Sequence, residues 1–264
     1  MQDTFPHWFE RKLGVCLDLA GQGAVEVVGC DRETPPLWAV TDGRRDLVTC
    51  LPAWRESIGQ VVAGLTRDEL FSFFGVAELA RVLLPEGFGC WGPALYYVAD
   101  EAAFRGRWDE RVTQLSPEQV AEIDFDLFWH CAQGPEGTYF GLYDEGRLAA
   151  LAVLRMDEGE VWEVGVDVVP EAKGSGLGRA VVGSAGRFVL EHGRLVLATT
   201  APWNLPSARL MRSLGMRHLL TDLRALPAPF QVPPQMLGSP APGVELRQYY
   251  PDWAMNRSIL PKDG

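Results

Sequence analysis

The stretch Val164–Arg179 reads VGVDVVPEAKGSGLGR. Its first residues are apolar and β-branched, as in a strand. Pro170 closes the strand, and Gly174, Gly176 and Gly178 follow at every second position. Behind them Leu177, Val181, Ser184 or Ala185, and Phe188 recur at helical spacing. A strand therefore feeds a helix through a loop whose alternate residues lack a Cβ. Backbone amides in such a loop can turn inward, and the helix adds its partial positive end. The junction is suited to a pyrophosphate or a similar anion.

Two phosphate-binding patterns and one ligand-free turn can be compared with it. A Walker A loop needs GxxxxGK followed by Ser or Thr, which is absent. A dinucleotide fingerprint needs GxGxxG or GxGxxA, whereas here Arg179 and Val181 fill the later positions and no acidic residue follows the next strand, Leu195–Thr199. The third pattern is a tight strand-to-helix turn with no ligand.

The surroundings give the loop a context. Arg111–Leu115 reads as a strand, and Ser116-Pro117-Glu118 opens a helix expected to run to about Cys131. Thr138–Tyr143 and Arg147–Met156 form a hairpin about Asp144-Glu145-Gly146, and Asp157-Glu158-Gly159 turns into the strand Val161–Val169. After the glycine helix come a strand at Leu195–Thr199, a helix opened by Asn204 and Pro206 and closed by Gly215, and a strand at His218–Leu226. The later helix carries Asn204, Ala208 four residues on, and Leu214-Gly215-Met216 at its end.

Together these features resemble the GNAT superfamily of N-acetyltransferases, over about residues 110–226. The family signature is Q/R-x-x-G-x-G/A after a strand ending V-x-P. Lys173 stands where Gln or Arg is usual and keeps the charge. The resemblance implies an α/β (α+β) fold: a mixed, mainly antiparallel sheet, helices on both faces, and a fourth strand splayed from the fifth. Acetyl-CoA would enter that gap. Backbone groups of Val166, Asp167 and Val168 would pair with its pantetheine arm. Amides of Lys173, Gly174, Ser175, Gly176, Leu177, Gly178 and Arg179 would hold the pyrophosphate, with Asn204 on the other side. A carboxylate at the start of the fourth strand would deprotonate the acceptor, and Glu160 and Glu163 both lie there, Glu163 preferred. Asp167 would face the cleft were a bulge to shift the register. One departure stands out: Met211 replaces a Tyr that often serves the family as general acid. A non-catalytic acyl-CoA binding or sensing module is accordingly the alternative to an acyltransferase.

The rest of the chain is read more simply. Its 264 residues are 47% hydrophobic, enough for a substantial core. A net charge of −11 argues against a nucleic-acid or anionic-membrane surface; it is read first as a solubility feature and also suits a basic substrate, and the resemblance implies a small-molecule or peptidyl amine. Cys16, Cys30, Cys50, Cys90 and Cys131 show no CxxC spacing, and no zinc pattern forms with the four histidines, so no metal and a cytoplasmic location are expected. Residues 1–108 read as an α+β domain, with a degenerate acetyltransferase-like half as one expectation. Residues 109–264 read as the acetyltransferase domain, with a proline-rich loop Pro227–Gly243 and a strand at Val244–Tyr250. A homodimer is compatible with this. His130-Cys131 resembles a nucleophile pair, but helical neighbours point about 100° apart, so a core or surface role is expected. Trp8, Trp38, Trp54, Trp91 and Trp108 are read first as core, with lining of the acceptor pocket by Trp91 or Trp108 as the alternative, and Phe125, Phe128 and Trp129 could form an aromatic wall there.

Overall fold

The computed structural model describes residues 4–14, 25–30, 35–132, 137–156 and 159–227. The first elements are α1 (Thr4–Leu13), β1 (Glu26–Gly29), β2 (Leu37–Thr41), β3 (Asp46–Cys50), α2 (Arg55–Ala63), α3 (Arg67–Leu70) and α4 (Phe73–Leu83). Then come β4 (Phe88–Ala99), β5 (Val112–Gln114), α5 (Pro117–Ala121), β6 (Thr138–Asp144), β7 (Arg147–Arg155) and β8 (Val161–Val168). The last are α6 (Leu177–Glu191), β9 (Leu195–Thr200), α7 (Leu205–Ser213) and β10 (Arg217–Pro227). Among the described residues no helix is long and apolar enough to cross a membrane.

The elements form two compact units, and the division falls within β4 and within β10. The first unit contains α1, Leu95–Thr200 and Ser207–Leu219. In it β5, β6, β7 and β8 pair antiparallel, β8 pairs parallel with β9, and β9 pairs antiparallel with β4. The sheet is thus mixed and mainly antiparallel, in the expected element order. The β6–β7 hairpin turns on Glu145 and Gly146, both at positive φ (48° and 78°), the backbone a tight two-residue turn requires. Helix α6 buries Leu177, Val181, Val182, Ala185 and Val189 against Val164, Val196 and Ala198. The opposite face of β8 is crossed by a short 3-10 turn, Trp129–Cys131.

The helix expected from Ser116 to Cys131 is much shorter. Its start is as read, a capping box between Ser116 and Gln119, but α5 ends at Ala121. Asp124 then bends the chain: its carboxylate accepts the N–H of Asp126 and its carbonyl those of Leu127 and Phe128. The amide of His130 donates to Asp167 at 2.8 Å, and that of Cys131 is shared between the Phe128 carbonyl at 3.0 Å and Asp167 at 3.2 Å.

The second unit pairs β1 parallel with β3, β3 antiparallel with β2, and β2 antiparallel with β10. Leu37, Ile58, Leu70, Leu79 and Leu223 make its core. Strand β4 runs from Phe88 through Gly92-Pro93 to Ala99. The expected turn at Asp157-Glu158, the loop after Pro227 and the strand Val244–Tyr250 lie outside the described residues.

Candidate active site

Strands β8 and β9 pair only over Val161–Glu163 and Leu195–Leu197. Beyond that point β8 continues to Val168 and β9 to Thr200 without pairing, so the two strands open. On its other edge β8 keeps an unbroken register with β7, from Arg155↔Glu163 to Ala150↔Val168. Hydrogen-bond direction alternates along a strand in such a ladder. Val169 N–H donates to Ala149 on β7, which turns the backbones of Gly165 and Asp167 to β7 as well. The N–H and C=O of Val164, Val166 and Val168 therefore face the opening. They form an exposed strand edge that an extended ligand can pair with. Asp167 gives this edge its neighbours but not its own backbone groups.

The glycine loop lies at the end of the open edge. Gly176 caps α6 in the left-handed region (φ 88°), and a Cβ there would meet no atom within 4 Å. The space above it is thus available to a ligand. Leu177, Gly178 and Arg179 form the first turn of α6, whose N–H groups have no intrahelical acceptor. Lys173, Gly174 and Ser175 are exposed beside them, and Ser175 ties the loop through a hydroxyl bond to the Ala172 carbonyl.

A cavity of about 970 Å³ adjoins Ser175 and Gly176. Arg105, Arg107, Arg111, Arg179 and Arg187 line it, with Asp109 the one carboxylate among its lining residues. In a chain of net charge −11 this is a concentration of positive charge. Arg111 is paired with Asp109, Arg179 is held by the Ser213 carbonyl and hydroxyl, and Arg187 by Glu101 and the carbonyls of Phe104 and Gly106. Arg105 and Arg107 are exposed. Trp108, also lining the cavity, donates its ring N–H to Glu191 at 2.7 Å.

The two expected carboxylates fall in different surroundings. Glu160 precedes β8, is partly exposed, and forms an ion pair with Arg11. Its own backbone N–H and the Arg11 charge outweigh the opposing desolvation and hold its carboxyl below the ordinary range. Glu163 stands where the strands part. Its Oε1 accepts the Thr199 hydroxyl of β9 at 2.5 Å, and its Oε2 meets Arg155 Nη1 at 3.1 Å.

Asp167 lies on the same face as Glu163, four residues along an unbulged strand, so no register shift is needed to bring it there. Its Oδ1 lies 2.5 Å from His130 Nδ1, and its Oδ2 accepts the amides of His130 and Cys131. His130 and Cys131 are not a nucleophile pair. Cys131 is fully buried, and burial pushes its thiol up. Phe128 is buried, whereas Trp129 is exposed and its ring lies 3.5 Å from that of His130, centroid to centroid. Of the expected aromatic wall, Trp129 is the part that faces out.

Residues 101–216 match the family model described as Acetyltransferase (GNAT) family. These residues form a GNAT acetyltransferase domain. Solved structures similar to the chain include an acetyltransferase from the GNAT family of Colwellia psychrerythraea, at 15% identity over 55% of this chain and 59% of that one, TM-score 0.41. Another is a GCN5-related N-acetyltransferase from Kribbella flavida, at 19% identity over 56% of this chain and 62% of that one, TM-score 0.42. A third is the ribosomal-protein-S18-alanine N-acetyltransferase from Escherichia coli, at 16% identity over 48% of this chain and 98% of that one, TM-score 0.35. The chain thus spans less than two thirds of the first two structures. No curated protein matches it.

Two further residues of the GNAT signature can now be placed. Met211 is buried in the core of the GNAT domain, so its position supplies no acid. Asn204 directly precedes α7, and its N–H donates to the Ala201 carbonyl at 3.0 Å. Sequence reasoning missed Arg105 and Arg107. The available signal was the basic Arg105-Gly106-Arg107 step in an acidic chain.

Proposed function

We propose that the chain transfers the acetyl group of acetyl-CoA to a primary amine of a small molecule or peptide, by direct attack in a ternary complex. The observation that carries this reading is the opening of β8 from β9, with the glycine loop at its end. Val166 and Val168 would pair with the pantetheine arm. The amides of Gly174 and of Gly176 to Arg179 would hold the pyrophosphate, with Lys173, Arg105 and Arg107 supplying charge. An N–H on the open edge of β8 would polarise the thioester carbonyl and stabilise the oxyanion formed on attack. Glu163 would accept the proton that an ammonium must lose before it can attack, directly or through water. Its place at the mouth of the opening favours it over Glu160, which lies before β8 and is paired with Arg11. Cys30, Cys50, Cys90 and Cys131 are free thiols, which suits a reducing compartment such as the cytoplasm.

The test is direct. Protein, acetyl-CoA and a panel of primary amines are mixed, and free thiol is followed with time. Amine-dependent thiol release supports the reading. Acetyl-CoA binding with no release over a broad panel would instead make the domain a binding or sensing module.

A further inference from the structure

Resting on the reading above, we infer that His130, oriented by Asp167, is a second proton acceptor for acetyl transfer. The reaction requires two proton departures from nitrogen. An ammonium acceptor carries three N–H bonds and the amide product carries one. The first proton leaves before attack. The second leaves after the C–N bond has formed and while the C–S bond breaks. One proton is taken up by the departing thiolate, and the net reaction releases one to solvent. Glu163 holds the first proton. A carboxylate that holds one proton accepts no second, so another acceptor is needed.

His130 has the geometry for the second. Its Nδ1 lies 2.5 Å from Asp167 Oδ1, and Asp167 is itself held by the amides of His130 and Cys131. A carboxylate at Nδ1 fixes the tautomer with the proton on Nδ1 and leaves Nε2 with its lone pair. Asp167 belongs to the part of β8 that β9 has left, so the ring is tethered beside the opening. It lies on the face that carries Glu163. Gly165, between the two carboxylates, admits this arrangement: a Cβ there would stand 3.1 Å from the His130 carbonyl. Arg155 ties the parts together, with Nη1 on Glu163 and Nη2 donating to the His130 carbonyl at 3.2 Å.

The charged groups about the ring are therefore Asp167 and Glu163 from β8 and Arg155 from β7. On the chain leading to it, Asp124 and Asp126 are exposed, and buried Cys131 stays protonated. The His130 side chain is 35% exposed, so its imidazolium can return the proton to water. The Trp129 ring packs against it, tilted by 30°.

His130 is placed to act on the substrate nitrogen, and Asp167 is a positioning residue acting through it. General-base assistance is typically worth about 10²–10⁴-fold. His130→Gln is expected to lower kcat by at least about tenfold at neutral pH and to remove a titration from the pH profile. Asp167→Asn should move the same limb of that profile. Added imidazole should restore part of the rate of His130→Ala, which a merely structural role would not allow. Acetyl-CoA affinity by calorimetry should stay within about twofold in all three, showing that the fold persists. Independently of any variant, ¹⁵N NMR of the wild type should show neutral His130 protonated at Nδ1. Wild-type kcat and pH profile in His130→Gln, or a proton on Nε2, would overturn the inference. A wild type that releases no thiol with any amine defeats the acetyltransferase reading and this inference with it. An active wild type matched by His130→Gln defeats this inference alone.

Discussion

Replacing Gly176 by Val separates the cofactor role of the glycine loop from its backbone role. The native φ of 88° is one that a β-branched residue adopts only with strain, about 1–2 kcal/mol. No atom lies within 4 Å of the added Cβ, so no steric cost is expected in the free protein beyond that strain. At about 2–4 °C per kcal/mol, the melting temperature should fall by a few degrees. Acetyl-CoA binding should suffer far more, because the side chain occupies the space the pyrophosphate needs. Hydrogen bonds to a charged group contribute about 1.5–3 kcal/mol each. Losing two of them weakens Kd by at least about a hundredfold. Gly193→Val is the matched control: φ is 71°, a Cβ there also meets nothing within 4 Å, and the site is at the far end of α6. Calorimetry and thermal melts on both variants are decisive. Similar melting losses with only Gly176→Val losing affinity is the expected result. An unchanged Kd in Gly176→Val, or equal losses of affinity in both, would refute the reasoning.

Other expectations concern chemistry and charge. Glu163→Gln should lose at least about tenfold in kcat/KM at neutral pH, with the deficit shrinking as pH rises toward the amine's own pKa; steady-state thiol release across pH checks this. The double variant Arg105→Ala, Arg107→Ala should raise the Kd of acetyl-CoA and flatten its salt dependence, measured by titration at two ionic strengths. Asp42 is raised by burial, but this is outweighed by the Arg45 and Arg44 amides and the Arg45 guanidinium, so its folded pKa lies below 3.8. Its contribution is therefore complete above 3.8 and is lost as pH falls through the lower folded value. The stability gap between wild type and Asp42→Asn, read by denaturant melts, should narrow over that acid range. Burial raises the Cys50 thiol to about 11 and the Cys90 thiol to about 12, so neither should react with a thiol reagent at neutral pH until the chain unfolds.

Local signals carried much of the fold. The Glu145-Gly146 turn, the α6 periodicity and the capping box at Ser116 are short-range features, and each appears where the residues place it. The opening of β8 from β9 was legible only through resemblance, because pairing that stops after three residues leaves no trace in either strand's own pattern. The α5 boundary was missed because the chain turns at Asp124, whose carboxylate accepts the Asp126 amide, and further on the His130 amide is claimed by a carboxylate on β8. His130, read as a core or surface residue, has Asp167 as its partner, a long-range contact that no local pattern signals.

The central claim is that acetyl-CoA lies along the open edge of β8 with its pyrophosphate on the α6 loop. Hydrogen–deuterium exchange with and without acetyl-CoA tests this most directly. The account predicts slowed exchange at Val164, Val166 and Val168 and at Gly174, Gly176, Leu177, Gly178 and Arg179, with the β2–β3 hairpin unchanged. Binding that leaves both of these segments unprotected, or protects β2 and β3 instead, would contradict it.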